Sequence, residues 1–186
     1  MPRRVIMVVL ALVVGLLGAG CNSAKPTKPQ AGTIPEGASM DAAVGTRVLL
    51  PEPPAPPMLS RPESAVYSYM LWISHAYVRQ DSVLASQTFD PFEEVRVDAY
   101  IQYNKEQGKA LRQEPTELAV KSVKTVENTS TVVASETWRY RYIDAKTGKF
   151  ATPVLTASYD STYTLVKLDR GWVVHKVDAT PRGEVK

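Results

Sequence analysis

The sequence predicts an α+β domain in which N-terminal helices pack against an antiparallel sheet of about four strands. Three observations carry this. Apolar residues recur every three or four positions from Val66 to Tyr103, as one face of a helix requires. Beyond Gly108 the period shortens to two and β-branched residues take over. The gaps between the later runs, at Asn128, Asp144 to Gly148 and Asp169-Arg170-Gly171, are short turn clusters that join consecutive strands as hairpins. Helices first and hairpin-linked strands afterwards is the order of an α+β fold.

The chain of 186 residues reads as one domain with an appendage. Residues 1–20 form the appendage. Arg3 and Arg4 precede an apolar run from Val5 to Leu17, and Gly18-Ala19-Gly20 supplies the small side chains of a cleavage site. These are the three parts of a secretory leader, and the run is shorter than the roughly 20 residues that cross a bilayer. The only cysteine, Cys21, follows directly, so no internal disulfide is available. Leu17 to Cys21 resembles the bacterial lipoprotein signal, whose cysteine is lipidated and becomes the first residue of the mature chain. Gly18 stands where that signal usually has Leu. The resemblance implies a lipid anchor on Cys21 and a place outside the cytoplasm in the bacterial envelope. The other reading is an ordinary signal peptide before a lone thiol.

Residues 21–60 change to Pro, Ala, Gly, Thr and Ser, with Pro53-Pro54 and Pro56-Pro57. Such a stretch buries too little apolar surface to offset its ordering entropy, which predicts a disordered or extended spacer with polyproline character near its end. Only Arg47-Val48-Leu49-Leu50 breaks the polarity, as a segment able to dock back on the domain.

The domain spans 61–180, with a tail over 181–186. Ser60-Arg61-Pro62-Glu63 has capping-box spacing and predicts a helix over 61–79, whose stripe is Val66, Tyr69, Met70, Ile73, Ala76 and Tyr77. A short helix capped by Asp81 follows over 81–88. Asp90-Pro91 is a cap followed by Pro at the first helical position, and predicts a third helix to about Gln107, ended by Gly108. Phe92, Val95, Ala99 and Tyr103 make its apolar face. Strands are predicted over 118–127, 129–142, 157–168 and 172–179. In the second, Val132, Ala134, Trp138, Tyr140 and Tyr142 share one face with Glu136 as the polar exception, while Arg139 and Arg141 point outward. Asn128-Thr129-Ser130 has the spacing of a glycosylation acceptor and reads as a turn.

The helical first half, the long strands and the ending from Tyr159 to Val174, with a charged turn at Asp169-Arg170-Gly171 and Trp172 opening the last strand, resemble an NTF2-like cone fold over about Pro62 to Ala179. Within that superfamily the likeness is to the domain of plant chloroplast-division proteins and their cyanobacterial relatives. Some members use an acid inside the cone for proton transfer or hydrolysis, and the acids that could do so here are Glu136 and Asp98.

Few residues carry chemistry otherwise. Removing Arg3 and Arg4 with the leader leaves 20 basic against 19 acidic residues, without the Lys/Arg cluster that nucleic acid demands. His75 and His175 are the only histidines, and no acidic or cysteine cluster accompanies them, so no metal and no cofactor is expected. No G-x-S-x-G elbow or glycine-rich phosphate loop occurs. Glu136 reads either as a carboxyl whose pKa an apolar pocket raises, or as a sheet-edge residue or arginine partner. Trp72 lies off the helix stripe and is a candidate partner anchor, the alternative being a helix buried on a wide face. The pattern favours a membrane-anchored binding or assembly module acting on an envelope protein. The alternatives are an exported enzyme or small-ligand binder using the cone interior, and a secreted protein with a chance cysteine.

Overall fold

The computed structural model describes residues 39–183; the leader, Gly18, Cys21, the spacer to residue 38 and the last three residues lie outside that range. Two helices, α1 (Pro62–Arg79) and α2 (Pro91–Glu106), are joined through a 3-10 turn at Ser82–Ala85. Five strands follow: β1 (Lys109–Val126), β2 (Thr129–Asp144), β3 (Lys149–Phe150), β4 (Leu155–Leu168) and β5 (Gly171–Pro181). All pair antiparallel in the order β1-β2-β4-β5, with the short β3 on β2 ahead of β4. Among the described residues no helix is long and apolar enough to cross a membrane.

Helix α1 buries the expected stripe, with Val66, Tyr69, Met70, Ile73 and Ala76 in the core beside Phe89, Val132, Trp138, Tyr163, Leu165 and Val174. Its start differs from the capping-box reading. Arg61 is the cap, without a side-chain hydrogen bond, and Ser60 lies one residue outside. Tertiary contacts set this entry: the Trp172 amide donates to the Leu59 carbonyl at 2.8 Å, which fixes the chain just before the helix. The segment expected as a helix over 81–88 is helical only at Ser82–Ala85, with Asp81 capping Val83 as read.

Helix α2 begins as its sequence demands. The Asp90 carboxylate accepts from the amides of Phe92 and Glu93 at 3.0 and 3.2 Å, and Pro91 occupies the first turn. Its buried face corrects the sequence reading. Phe92, Val95 and Tyr103 are 53, 69 and 59% exposed, whereas Glu93, Val97, Ile101 and Asn104 turn inward. The inward face holds a carboxylate and an amide at two of its four positions, so counting apolar residues alone selects the wrong side.

Strand β1 starts at Lys109, well before the expected 118, and is an edge strand with bulges near Pro115 and Lys121. Pro115 is tolerated because an edge position needs only one side of its ladder. β2 alternates as predicted through Val132, Ala134, Glu136 and Trp138, but Arg141 is not solvated: it is 1% exposed. Residues 39–50 fold over that part of the outer face, and Met40, Ala42 and Val48 pack there with Val78, Ile143 and Phe150 or on the Arg141 guanidinium. Residues 51–59 then run along α1 as a strap. The Met58 amide donates to Ser68 Oγ at 2.9 Å, and Arg79 reaches the Pro51 carbonyl at 3.3 Å. The part of the spacer inside the described range therefore lies against the domain.

Candidate functional site

The interior between the helices and the sheet is filled around two acids. β2 aims Glu136 inward, where it accepts hydrogen bonds from Ser161 Oγ at 2.9 Å and from the Tyr163 hydroxyl. The Tyr163 ring meets the Tyr69 ring edge-on at 6.2 Å, and the Tyr69 hydroxyl donates to Glu93 Oε1 at 2.7 Å. The other Glu93 oxygen accepts from Arg96, which also donates to the Val177 carbonyl. Burial, followed by Tyr77 and Glu93 for Tyr69 and by Glu136 for Tyr163, pushes both phenols far above their ordinary range, so they stay neutral donors. Burial also raises the Glu93 carboxyl. Glu136 thus lies neither at a sheet edge nor on an arginine; two hydroxyls hold it in the core.

The other sequence candidates are elsewhere. Asp98 is on α2, accepting from Ser82 Oγ at 3.0 Å, so the structure does not bring it together with Glu136. Trp72 is half-buried, and its indole N–H donates to the Ala55 carbonyl of the strap at 3.2 Å, so the chain itself covers this tryptophan. Cys21 lies outside the described residues. Among the described residues no three His, Cys, Asp or Glu side chains are placed to hold a metal ion.

His75 is buried beside Trp72, which sequence spacing placed only next to the apolar face. Burial, then the Arg79 and Arg112 charges, hold its imidazole below the ordinary value. The unfolded chain therefore binds the proton more readily, and stability is full above about pH 6.5 and falls as the pH drops from there towards the folded value. Glu93 acts in the opposite sense, since a raised carboxyl favours the folded state on acidification. Urea midpoints measured at about pH 7.5 and about pH 5.5 should therefore show the wild type losing more stability than His75→Leu, a comparison in which the Glu93 contribution cancels.

An open cavity is at one end of the layer, where α1, α2, the first halves of β1 and β4 and the last half of β2 part. It measures about 320 Å³. Five tyrosines line it, Tyr77, Tyr100, Tyr140, Tyr142 and Tyr159, together with Trp138 and four-carbon apolar neighbours. Tyr77 and Tyr100 meet edge-on at 5.3 Å, and Tyr140 and Tyr142 at 6.3 Å. Lys109 places its ammonium over the Tyr142 ring, 5.5 Å from the centroid. Burial, then the Tyr100 hydroxyl, holds the Tyr142 phenol well above its usual range, and burial and Tyr100 do the same for Tyr77. The lining contains no carboxylate, histidine or serine; Gln113 is its only polar group besides the phenols and the indole. Such a wall can stack on and donate hydrogen bonds to a guest, but it offers no group that gains or loses a proton near neutrality. Sequence pattern hinted at part of it, since Trp138, Tyr140 and Tyr142 were placed on one face. Tyr100 lies beside the inward face of α2 set by Glu93, Val97, Ile101 and Asn104, which apolar spacing alone does not single out.

No family model matches the sequence, and no curated protein matches it. Solved structures do resemble it. The intermembrane-space region of the chloroplast protein ARC6 superposes with a TM-score of 0.56 at 16% identity, over 64% of this chain and 94% of that one. An NTF2-like protein of unknown function from Shewanella oneidensis MR-1 aligns at 13% identity and a TM-score of 0.42, over 64% of this chain and 98% of that one. An NTF2-like superfamily protein from Salmonella enterica serovar Typhimurium gives 9% identity and 0.43, over 64% and 87%. The likeness to the ARC6 region is one of fold, helices packed on an open antiparallel sheet. In this fold the tyrosine cleft opens between the helices and the sheet, and the Glu136 cluster is part of the packed interior. At these identities the likeness extends to the fold alone.

Proposed function

We propose that this chain is a lipid-anchored protein of the bacterial cell envelope whose cone is a non-catalytic binding module, with the tyrosine cleft as its binding surface. The observation that carries the reading is the contrast between the two acids locked into hydrogen bonds in the core and the open cleft walled by neutral phenols. The filled surroundings of Glu136 weigh against proton transfer there. A cleft of about 320 Å³ is at the small end of ligand pockets, and suits one aromatic or apolar side chain of a partner protein. Anchoring rests on the leader, Gly20-Cys21 and the polar residues that follow.

Two experiments test it. Capture from solubilised membranes with the full chain should recover a species that Tyr142→Ala retains at least tenfold less well, with an unchanged far-UV circular dichroism spectrum and thermal midpoint reporting that the cone is intact. Equal recovery by both chains would remove the cleft from the reading. Mass spectrometry of the membrane fraction should find diacylglyceryl on Cys21, and Cys21→Ala should release the protein into the soluble fraction; a membrane-bound, unmodified chain would refute the anchor.

A further inference from the structure

A second cavity, about 140 Å³, lies beneath the strap and is separate from the tyrosine cleft. Pro51 and Pro54 roof it, Ser74 and His75 of α1 form one wall, and Arg112 and Gln113 of β1 form the other. Two of its nitrogens stand out. Nδ1 of His75 and Nε of Arg112 are both buried without a hydrogen-bond partner among the described residues. His75 as a whole is 5% exposed. Buried polar groups are nearly always paired, and two orphans facing one cavity point to a shared missing partner. An arginine Nε–H can only donate, so that partner is an acceptor.

The surrounding charges say which kind. Arg112 stands directly opposite Arg141 in the β1–β2 register, with Arg139 two residues along. Glu114, which also lines the cavity and whose charge acts on Arg112, and Asp41 on the same face both pair with Arg139. Arg141 meets only carbonyl oxygens, those of Thr152, Met40 and Ala42. Gln113 and Ser74 already bond one another at 3.3 Å, and Ser74 also bonds the Met70 carbonyl. With the lining carboxylate of Glu114 held by Arg139, the groups left to donate to a guest are a guanidinium and an imidazole. The volume is enough for a carboxylate with a short stem.

We propose that this cavity is a carboxylate-binding site, in which a planar anion takes the Arg112 Nε–H and the His75 ring nitrogen together. The carboxylate has two sources to distinguish: a free short-chain acid entering from solvent, or Glu52, an exposed strap residue at the cavity's lining that would have to swing inward. In either case occupancy ties the strap to α1 and β1, because the strap is the roof. The site meets the tyrosine cleft only through Gln113, which lines both.

Nitrogen-15 spectra of the full chain, following the Arg112 Nε–H and the His75 ring nitrogens, test this with sodium acetate as probe and sodium chloride at equal ionic strength as control. Saturable acetate shifts of both signals are expected. Arg112→Lys keeps the charge but lacks the fork, and should weaken acetate at least tenfold while backbone spectra stay superimposable. Glu52→Gln, at an exposed position that cannot unfold the domain, separates the sources. If Glu52 is the occupant, this substitution alone shifts the Arg112 Nε–H signal and tightens acetate. If a free acid is, the signal moves only on adding acetate and its affinity is unchanged. Signals indifferent to acetate and to Glu52→Gln alike would mean a cavity holding water only and would overturn the proposal.

Discussion

Gly171→Ala is expected to destabilise the domain by about 3 kcal/mol and to lower its thermal midpoint by roughly 6 to 12 °C. Gly171 opens β5 with φ of +114°, a conformation that L side chains rarely adopt. A Cβ there would lie 2.4 Å from the Leu59 carbonyl oxygen and 2.8 Å from the Leu59 Cβ. The oxygen cannot yield, since the neighbouring Trp172 amide holds it at 2.8 Å. Either the β4–β5 turn distorts or residues 58–60 leave the surface, and both expose Trp172. Gly148→Ala is the control. Its φ of +65° is also left-handed but nothing lies within 4 Å of the added atom, so only the backbone term of about 1 kcal/mol remains. Calorimetry on the two variants separates crowding from backbone strain; equal losses would show that the Leu59 contact is unimportant.

Arg141→Met should destabilise by about 3 to 5 kcal/mol, since three carbonyl oxygens lose a charged donor at about 1 to 3 kcal/mol each. The guanidinium lies 3.6 Å from the Phe150 ring centroid. It donates to Thr152 O at 3.0 and 2.7 Å, to Met40 O at 2.8 Å and to Ala42 O at 2.6 Å. Methionine fills much of the space but leaves those carbonyls without donors. The loss should be local at first: residues 39–50 detach, and trypsin cuts after Arg47 at least tenfold faster before the core unfolds. Uniformly faster cleavage throughout the domain would show instead that Arg141 supports the whole sheet.

These two positions also mark what the sequence made legible. The order of helices and strands, the Asp90-Pro91 start of α2 and the tight turn at Gly171 are local features, set by caps, φ preferences and periodicity, and they are readable without a structure. What crosses between distant segments is not. Arg141 alternates outward along β2, and nothing near it in sequence announces that residues 40 and 42 will cover it. Glu93 reads as a solvated first-turn acid until Tyr69 is seen 2.7 Å away, and that pairing is what turned α2 to show Phe92 and Val95 to solvent. β1 hid its first nine residues behind Pro115 and a run of polar side chains, which an edge strand tolerates and a central one does not. Of the candidate site, Trp138, Tyr140 and Tyr142 were foreseeable from alternation, whereas Tyr77 and Tyr100 join them only through the packing of two helices.

The covering of the sheet by residues 39–50 has a mechanical consequence. Tension drawn through the N-terminal chain meets its attachments in series: first the Met40 and Ala42 carbonyls on Arg141, then the backbone bonds of Gly45, Thr46 and Val48 to residues 148–150, then the strap on α1. Each can yield without unpairing β1 from β2. Under such tension the segment would therefore lengthen before the β1–β2 ladder is loaded.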